Sequence, residues 1–433
     1  MWPSKVSGRI RSLVRGTPSS PPLYGWALAI ESRARTVSAI HTETAVAPGA
    51  GSLEGRRPAI EACVNLDATS RNTRALAARA GTASLMAVVE ANAYGHGAVP
   101  VAVTALAAGA RELGVRTIDE GCALRRAGIG APILAFAPVR GYGEDCLDAG
   151  IRTGIAVTVE SADQVAAVRA AARCGTTATV QVAVDCGRAP QRVPHWADLI
   201  RSLRAAQSEG TVHVRGIYSS TGDDTNADSV VDRDRAHFLE YLRFARAAGV
   251  TFESAHLAGA QALRRSDLRF DLVRADLGLY GVAPTGSALE AELVPALTLS
   301  AEVALVKKIA AGDGVSYGFR WVAERDCSIA LLPVGYADGI PRALGGRMSV
   351  LLGGRWRPQV GRVCMDQILV YLGTDTDVVE GDRAVLFGGT VGSTAGAQRW
   401  AHALGTTPAE ILGGLRGRIE WRYVGGAPGT PGA

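Results

Sequence analysis

Leu85-Met86-Ala87-Val88-Val89-Glu90-Ala91-Asn92-Ala93-Tyr94-Gly95-His96-Gly97 is the stretch on which the reading of this chain turns. The apolar run from Leu85 to Val89, bounded by turn formers, fits a strand buried on both faces. Four polar side chains, Glu90, Asn92, Tyr94 and His96, follow it at once among small residues. In an α/β barrel such a cluster at a strand's C-terminal end is where chemistry sits.

On either side, apolar runs alternate with Ala-rich helical runs. Strands are expected at Leu85–Val89, Gly114–Ile118, Pro132–Phe136, Ile155–Val159, Ala178–Val184, Val212–Tyr218, Thr251–His256 and Leu272–Gly281. Helix signals lie between them at Pro100–Leu113, Glu120–Ala127, Ala162–Ala172 and Ser229–Ala248, the last with an apolar face for core packing. Eight strands alternating with helices predict a (β/α)8 barrel, with a doubly wound open sheet as the competing architecture. Ahead of them, Ala59–Asn65 reads as a further strand that pairs outside the barrel, and Asp67 or Thr69 is the expected cap of the next helix. After Pro284 the pattern changes to short strands with Gly-rich turns: Leu297–Ile309, Ser328–Val334, Met348–Leu352, Arg357–Val363, Gln367–Tyr371 and Asp382–Phe387. Helices near Gln398–Leu404 and Pro408–Leu415 complete a mainly-β domain. The chain thus divides into a 1–56 extension, a 57–290 barrel, a 291–426 β-domain and a 427–433 tail.

Composition excludes several classes. The net charge of +5 is spread over scattered arginines without interleaved aromatics, which argues against nucleic-acid binding. Seven cysteines form no CxxC or Cys/His pattern and read as reduced thiols of a cytoplasmic protein. No apolar run reaches the length of a membrane span. Lys5, Arg9, Arg11 and Arg15 ahead of Leu23–Ile30 loosely imitate a signal peptide. Pro21-Pro22 and the shortness of the run favour a disordered extension instead.

The opening motif closely resembles that of alanine racemases, V-V-K-A-N-A-Y-G-H-G. The resemblance extends from about Arg57 to Gly426 through Leu272-Val273-Arg274, Leu279-Tyr280-Gly281-Val282-Ala283-Pro284, Gly314-Val315-Ser316-Tyr317-Gly318, Pro333-Val334-Gly335-Tyr336-Ala337-Asp338-Gly339 and Gly361-Arg362-Val363-Cys364-Met365-Asp366-Gln367. It implies a barrel binding pyridoxal phosphate (PLP), a β-domain, and a head-to-tail homodimer in which each site borrows residues from the other subunit. Racemisation needs PLP and a base on each face of the substrate α-carbon. Tyr317 matches the family's tyrosine base and Arg274 the arginine facing the pyridine nitrogen. Tyr94, Tyr280, Tyr336, Met365 and Asp366 fall at matching pocket positions.

Other positions depart from the family. Glu90 replaces the Schiff-base lysine, Ala260 the phosphate-binding serine, Asp276 a phosphate-loop glycine, and Ser220 a histidine. The often carbamylated lysine falls at Ala183, the substrate-orienting arginine at Pro190 unless Arg192 substitutes, and the phosphate-capping tyrosine at Gly417. An anionic Asp276 beside phosphate costs about 4 kcal/mol at an effective dielectric of 20. These departures lead to the expectation of a degenerate site without a cofactor: colourless protein, no PLP adduct and no racemisation of alanine. Two roles follow, a pseudoenzyme partner, including a heterodimer with an intact racemase, or a repurposed enzyme in which Glu90 and Tyr317 act on an amino-acid-like ligand. The alternative is an active racemase with atypical cofactor anchoring, for which Lys307 and Lys308 are the lysines to test. A metal held by Glu90, Asp276 and His96 has no supporting spacing, and His96 reads as a structural residue of its loop.

Overall fold

A computed structural model describes residues 58–139, 142–172, 176–186, 196–221, 228–257, 259, 263–283, 288–388 and 396–426. The expected N-terminal extension and C-terminal tail lie outside these residues, as do Ala260, Pro190 and Arg192.

Strand β1 (Ile60–Asn65) precedes eight parallel strands: β2 (Ser84–Val88), β3 (Glu112–Val115), β4 (Ile133–Pro138), β5 (Ile155–Val159), β6 (Ala178–Ala183), β7 (Val212–Tyr218), β8 (Ser254–His256) and β9 (Leu272–Ala275). They pair in chain order from β2 to β8, and β9 returns to pair with β2. The remaining seam is joined by the Asp271 amide donating to the Ala255 carbonyl at 3.0 Å and by the Asp271 carboxylate accepting from the Ala255 amide at 2.8 Å. The result is a nearly closed (β/α)8 barrel, not an open doubly wound sheet. Its lumen is filled by Met86, Leu134, Ala156, Tyr218 and Leu272, with Phe136 against them. Gly114 must lack a side chain here, because a Cβ would meet the Phe136 ring at 2.6 Å.

The β-domain contains β10 (Leu297–Glu302), β11 (Leu305–Ile309), β12 (Gly314–Val315), β13 (Trp321–Val322), β14 (Cys327–Leu332), β15 (Ser349–Leu352), β16 (Arg355–Val360), β17 (Ile368–Gly373), β18 (Arg383–Phe387) and β19 (Glu420–Val424). Nine strands form one sheet in the order β11-β14-β17-β16-β15-β18-β10-β1-β19, while β12 and β13 make a separate ribbon. β1 is therefore embedded in the β-domain, antiparallel to β10 and parallel to β19.

Three local expectations are corrected. The span Leu297–Ile309 is two strands, because the Val303 amide bonds Asp382 and the Ala304 amide bonds Leu331, so the chain changes partners between them. The first helix (Leu66–Ala80) is capped by Asn65, whose side-chain oxygen accepts from the Ala68 amide at 3.0 Å. Asp67 instead accepts from the Gly426 amide at 3.0 Å. β9 stops at Ala275, where Asp276 (φ −109°, ψ −110°) turns the chain into a 3-10 segment.

Barrel and β-domain belong to one compact unit, Pro58–Ala433. Buried Asn72 ties its helix to the connection between them, donating to Leu279 and Val294 carbonyls at 3.1 and 2.8 Å and accepting from the Val294 amide at 2.8 Å. Asn72 itself is fully buried, and a buried polar group that loses its partner costs about 1–3 kcal/mol.

Candidate active site

β2 ends at Val88, and the next turn runs with the wrong hand. Ala91, Asn92, Ala93 and Tyr94 all have φ between 51° and 56°. A left-handed turn costs an L-residue about 1–2 kcal/mol per position, so it survives only where neighbours fix it. They do so here. The Ala91 amide donates to Glu120 Oε1 at 2.9 Å, and Asn92 Oδ1 accepts from the Ala98 amide at 2.9 Å, capping the following helix. Glu120 itself closes the capping box of the helix Ile118–Arg126 with Thr117. At the far end Gly97 (φ 92°) passes so close to Tyr423 that a Cβ would lie 2.2 Å from its hydroxyl.

The turn lifts Glu90 to the end of β2, where Tyr94 donates its hydroxyl to Glu90 Oε1 at 2.9 Å. Tyr280 lies beneath, its ring centroid 5.4 Å from Tyr94 and 4.4 Å from His96, its hydroxyl donating to the Val88 carbonyl at 2.8 Å. Burial, reinforced by neighbouring Asp276 and Glu90, drives both phenols up, so they are neutral donors. Burial lowers His96 to about 4 against the opposing pull of the Tyr94 and Ala93 carbonyls. It is a neutral ring bracing the turn, as expected of a structural residue.

Across the mouth, buried Arg274 on β9 donates through Nη1 to His256 Nδ1 at 2.8 Å, and through Nη2 to the Ser219 carbonyl at 2.7 Å and Ser220 Oγ at 3.0 Å. Burial and the adjacent Arg274 hold His256 far below the usual imidazole range. Since Nδ1 accepts, Nε2 carries the hydrogen and donates to Gln181 Oε1 at 2.8 Å. Tyr218 stacks on His256 at 5.1 Å and also lies 5.6 Å from the Arg274 guanidinium. Thr158 Oγ1 gives its proton to the Ala135 carbonyl and so accepts from Tyr218, at 2.9 Å. His256, Gln181, Tyr218 and Thr158 were not singled out as site residues from sequence. Their signal is a polar side chain at an inward position of an otherwise apolar strand.

The structure thus brings together Glu90, Tyr94, Asp276, Tyr280, Arg274 and Ser220. It leaves Tyr317, Tyr336, Met365 and Asp366 on the β-domain, where none is hydrogen-bonded to a described residue of the barrel mouth. Tyr317 is 76% exposed between β12 and β13, beside Phe319 at 68%. Asp366 pairs with Arg418 at 3.1 Å. Ala183 ends β6, and Gly417 (φ 78°) packs on Ala337 and Asp338. Among the described residues no group of three His, Cys, Asp or Glu side chains is arranged to hold a metal, and no helix is long and apolar enough to cross a membrane.

Two family models match the chain: the alanine racemase N-terminal domain over residues 64–284 and the C-terminal domain over 296–423. An alanine racemase of Mycobacterium tuberculosis is 46% identical over 371 residues, covering 84% of this chain and 95% of that protein. One from Mycobacterium leprae is 44% identical over 380 residues, covering 85% and 96%. Among solved structures, the alanine racemase from D-cycloserine producing Streptomyces lavendulae superposes with a TM-score of 0.82 at 40% identity, covering 87% of this chain and all of that one.

These likenesses overturn the expectation of a pseudoenzyme or repurposed site lacking the family's activity, and with it the expectation that no cofactor is used. Part of the physical reason lies at Asp276. Burial pushes its carboxyl up against the opposing pull of the Leu277 amide and Arg274, and that neighbouring cation offsets part of the repulsion assumed from sequence. The residues present fit a PLP group through polar contacts: a fixed cation at Arg274 and the Ser220 hydroxyl beside it. They supply no amine, since the sequence has only Lys5, Lys307 and Lys308, and the latter two lie on β11. With both domains matched in order and relatives aligned over most of their length, the chain belongs to the alanine racemase family.

Proposed function

We propose that the chain is an isomerase that inverts the α-carbon of alanine or a similarly small amino acid, with PLP as cofactor held without a barrel lysine. The observation that carries this reading is the 46% identity, over 84% of this chain, to a relative named alanine racemase. When bound, PLP acidifies the substrate's α-hydrogen by drawing the developing negative charge into its ring. The chain's own residues hold the reactants and move one proton. Arg274 offers a fixed positive charge to an anionic group, with the Ser220 hydroxyl beside it. Glu90 is the proton carrier on one face, its carboxylate oriented by the Tyr94 hydroxyl at 2.9 Å. Tyr317 serves the other face from a second copy of the chain, so a homodimer is part of the proposal. The barrel domain spans 57–290 and the β-domain 291–426.

Full-length protein supplied with PLP and L-alanine should form D-alanine, measured by chiral chromatography. Glu90→Gln should lower kcat by about 10²–10⁴-fold, the usual contribution of a positioned acid–base group, with an unchanged circular dichroism spectrum. Absence of D-alanine at every PLP concentration, beside a working relative, would refute the reading.

A further inference from the structure

The His96 ring is sealed from solvent, yet only one of its nitrogens is satisfied. Nδ1 lies 3.1 Å from the Ala93 and Tyr94 carbonyls, two acceptors, and therefore carries the hydrogen. Nε2 is then an acceptor, and it is buried without a hydrogen-bond partner. A buried acceptor left dry is costly, which is why such groups are found bonded to protein or to ordered water.

Nε2 has a space beside it. A cavity of about 20 Å³ lies at the seam of the two domains, bounded by His96 and Tyr280 on the barrel side and by Leu297, Phe387, Gln398 and Leu412 on the other. One water needs about 10–15 Å³ and two to four polar partners. The Tyr280 hydroxyl is turned away, donating to the Val88 carbonyl at 2.8 Å. Gln398 is the second polar side chain on the wall. Its Nε2 donates one hydrogen to the Ala283 carbonyl at 2.8 Å, which leaves a second hydrogen, and its carbonyl oxygen has no partner among the described residues.

We propose that this cavity holds one ordered water, which donates to His96 Nε2 and bridges to the Gln398 carboxamide. The water pins the left-handed turn to the first turn of the helix Ala397–Leu404, so that the β-domain helps to hold the turn's shape. The site is internal to one chain and needs no assumption about the reaction.

The test begins with a crystal structure of the full chain at a resolution that shows ordered waters. A peak about 2.7–3.2 Å from His96 Nε2 and in the same range from Gln398 is expected. An empty cavity overturns the proposal. So does a peak about 2.0–2.1 Å from Nε2, the zinc–imidazole distance. Ala397, whose side chain also lines the cavity, then tests what the water does. Ala397→Val fills the space without a donor and leaves the bonds of Nδ1 and of Gln398 in place. Amide exchange at Gly95, His96 and Gly97 should speed up by about tenfold or more. Ala397→Ser puts a hydroxyl where the water stood, and exchange there should stay near the wild-type rate. Equal acceleration in both variants, or in neither, would show that the turn is not held through a water.

Discussion

Glu90 and His96 stand six residues apart on one turn, yet their surroundings give them opposite duties. Glu90 is half-buried and faces a single donor, Tyr94. His96 is fully buried, with Nδ1 3.1 Å from both the Ala93 and Tyr94 carbonyls. Two acceptors on Nδ1 require that nitrogen to carry the hydrogen. The ring is neutral, and protonating it puts a charge where bulk water is absent. Its folded value near 4 lies below the ordinary 6.5, so the unfolded chain binds the extra proton more readily. The resulting stability is present above pH 6.5 and is lost as pH falls toward 4. The loss between pH 7 and pH 5 is about 2 kcal/mol, from about 1.4 kcal/mol per pH unit of displacement. Denaturant midpoints at the two pH values should therefore diverge for the wild type. They should diverge less for His96→Asn, which keeps a donor near the same carbonyls but does not titrate. Equal pH sensitivity in both proteins would rule out His96 as the source.

At the scale of elements, the left-handed turn from Ala91 to Tyr94 reverses the usual ranking of residues. Exposed Ala91 sits at φ 51°, where glycine removes about 1–2 kcal/mol of steric cost and returns about 0.5–1 kcal/mol in lost unfolded-chain freedom. Ala91→Gly should thus raise stability by about 0.5–1 kcal/mol, whereas Ala166→Gly in the helix Ala162–Ala171 should lower it by about 1 kcal/mol. Chemical denaturation of the two variants checks the contrast, and a destabilised Ala91→Gly would contradict the strain argument. The sequence did not disclose this turn, because A-N-A-Y carries no glycine at its three strained positions before Tyr94, and the bonds that hold it come from Glu120 and Ala98. The strands were far more legible. Ile155–Val159 and Val212–Tyr218 have the expected bounds, since β-branched runs between turn formers leave few alternatives. Strand ends that depend on a partner, such as the break between β10 and β11, were not legible. In the site, positions could be read but surroundings could not: the burial that pushes the Asp276 carboxyl up has no signature in single letters.

For the whole molecule, the shared sheet decides how the parts hold together. β1 enters from the N-terminal side of the barrel, yet lies between β10 and β19 with Ile60 opposite Ala301 and Glu61 opposite Glu420. Tyr423 touches the turn at Gly97, and the Gln398 amide donates to the Ala283 carbonyl at 2.8 Å. The scarcity of lysine makes this testable. Within the folded chain the residue occurs only as Lys307-Lys308, exposed on β11 at the sheet's edge, a placement that also discourages edge-to-edge pairing. A lysine-specific protease can sever the folded part there and nowhere else. One fragment keeps the barrel with β1 and β10; the other keeps β12 to β19. Because β18 and β19 clasp β10 and β1 from both sides, the severed protein should elute as one species by gel filtration and come apart only in denaturant. Separate elution in native buffer would show that the peptide link, not the sheet, holds them. The chain is in that sense a ready-made split protein, whose two halves carry in their strand register the instructions for finding each other again.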